Sequence, residues 1–194
     1  MRHDIVVEGP TFRLRPVRVE DAAIMVEIRT GDPLRSRFMN PTSPDVSLQV
    51  AYLEAYLERE TDAYFVVERR GSAEPEGLVA VYDIGEEGPG RAEWGRWVLR
   101  PGSVAALESA WLTYRAAFEH LDLDLVYCRT VAANEQVVTF HDSCGLVRHG
   151  TLPGYVTIGD VVHDSVEHRL DRTGWPAVDR RLGALVERYA ARGR

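Results

Sequence analysis

The stretch best equipped to do chemistry is residues 92–107, which read AEWGRWVLRPGSVAAL. Glu93 contributes a carboxylate that, if partly desolvated, could accept a proton directly or through water. The stretch also runs from a strand-like pattern, through Arg-Pro-Gly, into a helix-like pattern, and helix N-terminal amides at such junctions bind anions. Residues 92–107 therefore suggest a proton-transfer group beside a phosphate-binding turn. The alternatives are a salt-bridged glutamate and a plain turn.

His141 is the second residue suited to moving a proton, because an imidazole titrates near neutral pH. Its place in the last turn of a predicted helix also fits an ordinary polar surface residue. Tyr82 and Ser143 are lesser candidate donors. Cys128 and Cys144 have no evident histidine–carboxylate partners, and the six histidines lack zinc-finger spacing. We therefore expect neither a cysteine nucleophile nor a metal site.

The composition excludes several classes of partner. The formal net charge of -7 argues against nonspecific nucleic-acid binding, which needs a basic surface. No run approaches the roughly 20 apolar residues of a membrane span, and the first residues lack the apolar core of a signal peptide. Two cysteines do not form a disulfide framework. These observations predict a cytoplasmic protein with no membrane or nucleic-acid partner.

Hydrophobic periodicity predicts alternating strands and helices. Strands are expected over residues 11–17, 63–69, 78–84, 91–99, 124–131, 146–151 and 161–170. Helices are expected over residues 21–29, from about 43, after 101, over 134–144, and from about 177 to the C-terminal region. Short turns join the strands between residues 63 and 99, which predicts an antiparallel meander. The strand–helix–strand unit over residues 91–131 predicts one parallel pair. The fold class is therefore mixed α+β.

This order of elements resembles that of the GNAT superfamily of acetyl-CoA-dependent N-acyltransferases over about residues 11–170. Residues 134–146 resemble the family segment Asn-x-x-Ser-x-x-Φ-Tyr-x-x-x-Gly-Phe, where Φ is apolar. The other stretches that resemble the family are FRLRPVRVEDA at residues 12–22, AEWGRWVLRP at 92–101 and HDSVEHRL at 163–170. The last of these is similar to the closing strand of the amino-sugar and ribosomal-protein acetyltransferases. The resemblance implies a mostly antiparallel GNAT-like sheet with helices on both faces and an extra C-terminal helix.

The resemblance also implies how coenzyme A would bind. In the family, the strands corresponding to residues 91–99 and 124–131 splay apart, and the pantetheine arm lies in the gap. The pyrophosphate lies on amides of the following loop and helix, where the helix dipole favours an anion. The residues that this carries over as cofactor contacts are Val98, Leu99, Ser103, Val104, Ala105, Ala106 and Asn134. Asn134 also suits the N-cap of its helix.

Two departures from the family pattern bear on these expectations. After Gly102 the loop lacks the family's further glycines, so we expect weaker binding of acetyl-CoA than is usual; the alternative is a plain helix start capped by Ser103. His141 stands where the family has a tyrosine that protonates the departing thiolate. Glu93 matches a glutamate that in related members deprotonates the amine. The resemblance therefore implies Glu93 and His141 as catalytic residues.

The wall of the acceptor site is implied to come from the first two helices, their connecting loop and the tryptophan pair. The residues assigned to substrate binding are Arg35, Arg37, Phe38, Trp94 and Trp97. The two arginines could hold a phosphorylated acceptor, although solvated arginines are the simpler interpretation. Trp94 and Trp97 would face opposite sides of a regular pleat, whereas a bulge in the strand would change that parity.

Three hypotheses about function remain open at this point. The first is direct transfer of an acetyl group from acetyl-CoA to a primary amine of a small molecule, such as a nucleotide-linked amino sugar. The second is acetylation of protein N-termini, as in the ribosomal-protein enzymes. The third is a catalytically silent binding module. We expect one domain over residues 1–194, with residues 172–194 as a helical extension that covers the sheet or builds a homodimer.

Overall fold

The computed structural model describes residues 2–192, apart from the side chain of Arg35. Its centre is an eight-stranded sheet in the order β1-β2-β3-β4-β5-β6-β8-β7. The strands are β1 (Val7–Glu8), β2 (Phe12–Pro16), β3 (Ala63–Arg69), β4 (Pro75–Tyr82), β5 (Arg91–Leu99), β6 (Leu125–Val131), β7 (Val147–Ile158) and β8 (Val161–Asp171). All neighbouring strands are antiparallel except β5 and β6. The predicted mixed α+β sheet with one parallel pair is confirmed.

Helices cover both faces of this sheet. They are α1 (Ala22–Thr30), α2 (Pro33–Ser36), α3 (Val46–Leu57), α4 (Ala106–Arg115), α5 (Glu135–Cys144) and α6 (Trp175–Arg192). A π-helical turn, Ala116–His120, follows α4. Helices α1 and α3 pack on one face around Met25, Leu53 and Tyr64, whereas α4 and α6 pack on the other around Leu112 and Leu182. The central strands are therefore buried on both sides.

The prediction of local structure was wrong at several places. The short β1 and the single turn α2 were missed, and β7 extends well beyond the predicted 146–151. Asp21 occupies the N-cap of α1, but its side chain makes no cap bond. Its carboxylate instead accepts two hydrogen bonds from Arg15 and one from the Arg18 amide, because a buried carboxylate beside an arginine gains more from a bidentate ion pair.

The parallel pair of strands separates partway along its length. Residues 91–93 of β5 pair with residues 125–127 of β6, and beyond Glu93 no further residues of the two strands pair. The far edge of β5 stays paired with β4 as far as Leu99. Backbone groups on the β6-facing edge of residues 94–99 are therefore left for another partner, because strand backbone groups need hydrogen bonds. The expected splay is present.

A β-bulge in β5 decides which way its large side chains point. Gly95 pairs with Ala80, and Val98 pairs with Leu78, so β5 contains one residue more than β4 over this interval. Arg96 takes up the extra residue with a positive φ of 50°. Because a bulge shifts the alternation of side chains, Trp94 and Trp97 share one face and their ring centroids lie 5.6 Å apart. Of the two parities considered above, the bulged one is observed.

The C-terminal helix, α6, packs against α4 and the π-helical turn that follows it. Trp175 stacks on Phe118 of the π-helical turn, and Asp179 accepts a hydrogen bond from the Trp111 indole at 2.7 Å. Val178, Leu182 and Val186 are buried, whereas Tyr189 is exposed. Helix α6 therefore covers the α4 side of the sheet.

Glu108 ties this layer to the N-terminal strands, and its removal gives a first prediction. Its carboxylate accepts hydrogen bonds from the backbone amides of Thr11 and Phe12, both at 2.8 Å. Glu108→Ala leaves these donors without a partner, and a buried unsatisfied donor costs about 1–3 kcal/mol. We expect the free energy of unfolding, measured by urea denaturation, to fall by about 2–4 kcal/mol. Glu119→Ala, which removes a solvent-accessible ion pair with Arg115, is the control and should cost under about 1 kcal/mol; equal losses would contradict this account.

Candidate active site

Glu93 lies where β5 and β6 stop pairing. The residue is buried, with 8% of its surface exposed. The Tyr82 hydroxyl donates a hydrogen bond to its Oε1 at 2.8 Å, and a guanidinium nitrogen of Arg129 lies 3.5 Å from its Oε2. Burial raises the pKa of Glu93 to about 7, against the opposing effects of Tyr82 and Arg129. A carboxylate with this pKa can accept a proton and release it again near neutral pH.

Arg129 fixes the surroundings of this carboxylate. Its guanidinium pairs with Glu167 at 2.8 Å and with Glu87 at 2.7 Å, and it donates to the Tyr155 hydroxyl at 2.8 Å. These partners come from β8, from the turn before β5 and from β7. Arg129 is thus held by three separate elements, so it can present a positive charge to Glu93 in a fixed position.

His141 is buried beneath the sheet instead of lying on the surface. It is 2% exposed, and its ring lies 5.1 Å from Trp94 and 5.4 Å from His168, measured between centroids. Burial lowers the pKa of His141 to about 3, so its imidazole is neutral at neutral pH. A neutral imidazole can donate a hydrogen bond but carries no extra proton to give away. The surface alternative is wrong, and the proton-donor role stays a prediction.

The loop between β5 and α4 ends in open backbone amides. Gly102 has a φ of +78°, and the Ser103 amide closes a turn on the Arg100 carbonyl. The Ser103 hydroxyl accepts from the Ala105 amide, before the helix begins, so Ser103 is not the N-cap; Ala105 is, without a side-chain cap bond. First-turn amides of a helix have no intrahelical partner. Those of α4 are therefore free to bind an anion despite the missing glycines.

The remaining predicted cofactor residues lie around the gap. Val98 and Leu99 are on the stretch of β5 that pairs with β4 but no longer with β6. Val98 packs toward α1 and α3, and Leu99 packs toward α4. Asn134 occupies the N-cap of α5, and its carbonyl accepts from the Val137 and Val138 amides. Its side chain makes no cap bond, contrary to the expected cap, because the ψ of 60° differs from the extended value that capping favours.

A cavity of about 510 Å³ opens on the α1–α3 side of the sheet. One wall is the segment from α2 to α3, and the other is the tip of the β7–β8 hairpin. Its lining residues are Arg29, Phe38, Met39, Asn40, Pro41, Thr42, Ser43, Leu48, Gln49, Tyr52, Tyr64, Arg96, Val156 and Ile158. Arg96 links the cavity to the candidate base, because its guanidinium lies 4.3 Å from the ring centroid of Tyr82.

The predicted acceptor residues are only partly brought together here. Phe38 lines the cavity and meets His163 of the hairpin edge-on, with 6.4 Å between ring centroids. Arg37 lies over the Phe38 ring and donates to the Leu34 carbonyl of α2, and it does not line this cavity. The side chain of Arg35 lies outside the described residues.

Trp94 and Trp97 contact helices on the other face of the sheet. The Trp94 indole is 1% exposed and donates to the Tyr114 hydroxyl at 3.0 Å, and the Trp97 indole donates to the Ser109 hydroxyl at 3.1 Å. In place of the tryptophans, the bulge turns Arg96 toward the cavity. Arg29 and Arg96 line the cavity but were not predicted from the sequence. If the bulge had been placed at Arg96, the direction of the Arg96 side chain would have followed from it.

Comparisons with known proteins agree with this fold. The family profile described as "Acetyltransferase (GNAT) domain" matches residues 11–147, and the chain belongs to this family of acetyltransferases. A comparison with curated proteins returned no match. Among solved structures, a protein of T. thermophilus assigned as an acetyltransferase is 27% identical, with a TM-score of 0.77, over 95% of this chain and 98% of that one.

Two further structures share the fold. The apo form of FdhC, described as a nucleotide-linked sugar GNAT, is 24% identical, with a TM-score of 0.74, over 90% of this chain and 94% of that one. The spermidine/spermine N-acetyltransferase SpeG from Vibrio cholerae is 16% identical, with a TM-score of 0.74, over 87% and 98%. Within residues 2–192, no helix is long and apolar enough to cross a membrane.

Proposed function

We propose that this protein transfers an acetyl group from acetyl-CoA directly to a primary amine of a small molecule, with Glu93 as the general base. The observation that carries the proposal is the position of Glu93: a carboxylate with a pKa of about 7 lies where the gap between β5 and β6 begins. An ammonium must lose a proton before it can attack a carbonyl, and a base with this pKa is about half deprotonated at neutral pH.

The residues around the gap fit coenzyme A. The unpaired edge of β5 at Val98 and Leu99 would hold the pantetheine arm by backbone hydrogen bonds, and the amides at Ala106 and the next two residues would hold the pyrophosphate. The Asn134 side chain, which makes no cap bond, would contact the pantetheine arm. Acetyl-CoA, when bound, supplies the acetyl thioester. Glu93 accepts the amine proton, Tyr82 and Arg129 keep its carboxylate in place, and His141 stays a candidate hydrogen-bond donor.

A nucleotide-linked amino sugar is the acceptor that we favour. The cavity has room for a sugar, aromatic side chains at Phe38 and Tyr52 for stacking, and two arginines for phosphate. FdhC, which shares the fold, is described as a nucleotide-linked sugar GNAT. Acetylation of protein N-termini is the second candidate, and a silent binding module is the third; the raised pKa of Glu93 favours an enzyme over the module.

An assay of thiol release with acetyl-CoA and a panel of amines, with products identified by mass spectrometry, tests the proposal. We expect turnover with small amines and none with peptide N-termini. If no amine is acetylated and calorimetry shows that tight binding of acetyl-CoA is lost, the silent module is correct. The proposal includes one cytoplasmic domain over residues 1–194, with residues 172–194 as its extension and a homodimer that sedimentation would detect.

A charge at the cofactor loop gives a prediction of its own. Val104 is 73% exposed, two residues before the start of α4. Val104→Asp should leave the melting temperature unchanged or higher, because an acidic residue suits a helix N-terminus. The same charge should repel the pyrophosphate and raise the Kd for acetyl-CoA about tenfold in calorimetry, a like-charge cost of about 1–2 kcal/mol. Val104→Asn is the uncharged control; an unchanged Kd in Val104→Asp would place the pyrophosphate elsewhere.

A further inference from the structure

We infer that the acceptor carries an anionic group held by Arg29, at a distance on the order of 10 Å from the amine that is acetylated. This inference rests on the proposed function and makes its acceptor more specific. It concerns the part of the cavity that Arg29 lines. Three observations carry it: the charge of the lining, the partners of the two arginines, and the spacing across the sheet.

The cavity lining is positive in a protein that is negative overall. Arg29 and Arg96 line it, and none of its lining residues is an aspartate or glutamate, although the whole chain has a formal net charge of -7. A concave site with one sign of charge concentrates ligands of the opposite sign. The lining therefore selects against polyamines and in favour of an amine that also bears an anion.

The two arginines differ in how their charges are balanced. Arg96 forms an ion pair with the buried carboxylate of Asp62 at 3.1 Å. Arg29 donates instead to neutral oxygens, the Thr42 hydroxyl and the Asn40 carbonyl, and it also interacts with the Tyr64 hydroxyl. Among the residues that the structure describes, no carboxylate forms an ion pair with Arg29. A half-buried guanidinium whose fork is held in place without a counter-ion is suited to bind one from the ligand.

The sheet sets the distance between the anion and the amine. Tyr64, Ala80 and Gly95 are neighbours on three adjacent strands, and Glu93 lies two residues from Gly95. With about 4.8 Å between strands and about 3.3 Å per residue, the Cα atoms of Tyr64 and Glu93 are roughly 12 Å apart. An α-amino acid, whose amine and carboxylate share one carbon, cannot reach both sites. An amino sugar with a phosphate several bonds away, or an ω-amino acid, can.

Linear probes of matched length separate the effect of the far group's charge on acetylation from the effects of chain length and of the amine. The amines are 6-aminohexyl phosphate, 6-aminohexanoate, hexylamine and 1,6-diaminohexane, which share a six-carbon chain and differ in the far group. The phosphate and carboxylate arms distinguish the two sources of negative charge. We expect kcat/KM to be highest for an anionic probe and lowest for the diamine. A preference for the diamine or for hexylamine would overturn the inference while leaving acetyl transfer intact.

Variants of Arg29 assign the effect to one residue. Arg29→Gln should raise KM for the preferred anionic probe by about 10- to 100-fold with little change in kcat, and should leave KM for hexylamine unchanged. Arg29→Lys should recover part of the loss. Arg188→Gln, at an exposed position on α6, removes the same charge elsewhere and should behave as wild type. An equal rise in KM for hexylamine would mean that Arg29 only shapes the loop.

A binding measurement keeps the inference separate from the proposed function. Calorimetry with hexyl phosphate, which has no amine, in the presence of saturating coenzyme A reports on the anion site without turnover. Binding to wild type that is lost in Arg29→Gln supports the anion site, even if no amine is acetylated and the proposed function fails. No binding to wild type overturns the site, whatever the enzyme acetylates.

Discussion

Glu93→Gln should lower kcat/KM for the amine by about 10²- to 10⁴-fold, the range that a positioned general base contributes. The substitution keeps the size of the side chain, and its amide can accept the 2.8 Å hydrogen bond from the Tyr82 hydroxyl. What it removes is the ability to take a proton from the amine. The measurement is steady-state thiol release, with acetyl-CoA affinity followed by calorimetry and expected to be unchanged. Activity within threefold of wild type would exclude Glu93 as the base.

The pH profile gives the same experiment an internal control. Glu93 must be deprotonated to act, so wild-type kcat/KM should rise with pH through a midpoint of about 7. Arg129 lowers the pKa of Glu93, so Arg129→Gln should move that midpoint to higher pH, and Tyr82→Phe should do the same because the Tyr82 hydrogen bond also lowers it. An acid limb that stays in place in both variants would belong to another group.

Trp94→Ala should be the most destabilising substitution considered, at about 3–5 kcal/mol of unfolding free energy. The Trp94 ring fills the space between Tyr114, Trp97 and His141. Its removal opens a cavity and leaves the buried Tyr114 hydroxyl without the indole donor at 3.0 Å. Urea denaturation monitored by far-UV circular dichroism measures the loss.

Trp97→Ala is the matched control on the same strand. Trp97 is only partly buried and lies 5.1 Å from the Phe140 ring, measured between centroids. Its truncation leaves a space that solvent can enter, so we expect a loss of under about 2 kcal/mol, since the cost depends on how well the site can relax. Equal losses at Trp94 and Trp97 would contradict the difference in burial between the two side chains.

The parts of the fold that followed from the sequence are those with strong local patterns. The strands at residues 63–69 and 91–99 were placed correctly, because both are rich in the aromatic and β-branched residues that favour strands and both are bounded by turn residues. The two-residue β1 and four-residue α2 are too short to show a period. The extension of β7 to Ile158 could not be predicted either, because most of that strand is exposed and its sequence does not alternate between apolar and polar residues.

The candidate site divides in the same way. Glu93 was found because it lies before the bulge, in a stretch of the strand whose sequence resembles the family pattern. Arg96 was missed because a bulge turns its side chain into the cavity. This bulge needs a positive φ at a residue other than glycine, and such a φ cannot be predicted from the local sequence. Arg29 was missed because its interest as an anion-binding residue depends on its having only neutral partners in the described part of the chain. Two of these partners, Thr42 and Tyr64, come near Arg29 only in the folded chain.

The hairpin of β7 and β8 has a consequence for how such an enzyme changes over evolution. The family profile ends at residue 147, where β7 begins, and Val156 and Ile158 of the hairpin close the proposed acceptor cavity. The same hairpin supplies Tyr155 and Glu167, which hold Arg129 beside Glu93, so it carries part of the acceptor wall and part of the support of the proposed base. Exchanging only the tip of the hairpin, at Val156 and Ile158, would therefore alter the acceptor wall, whereas exchanging the whole hairpin would also change the surroundings of Glu93.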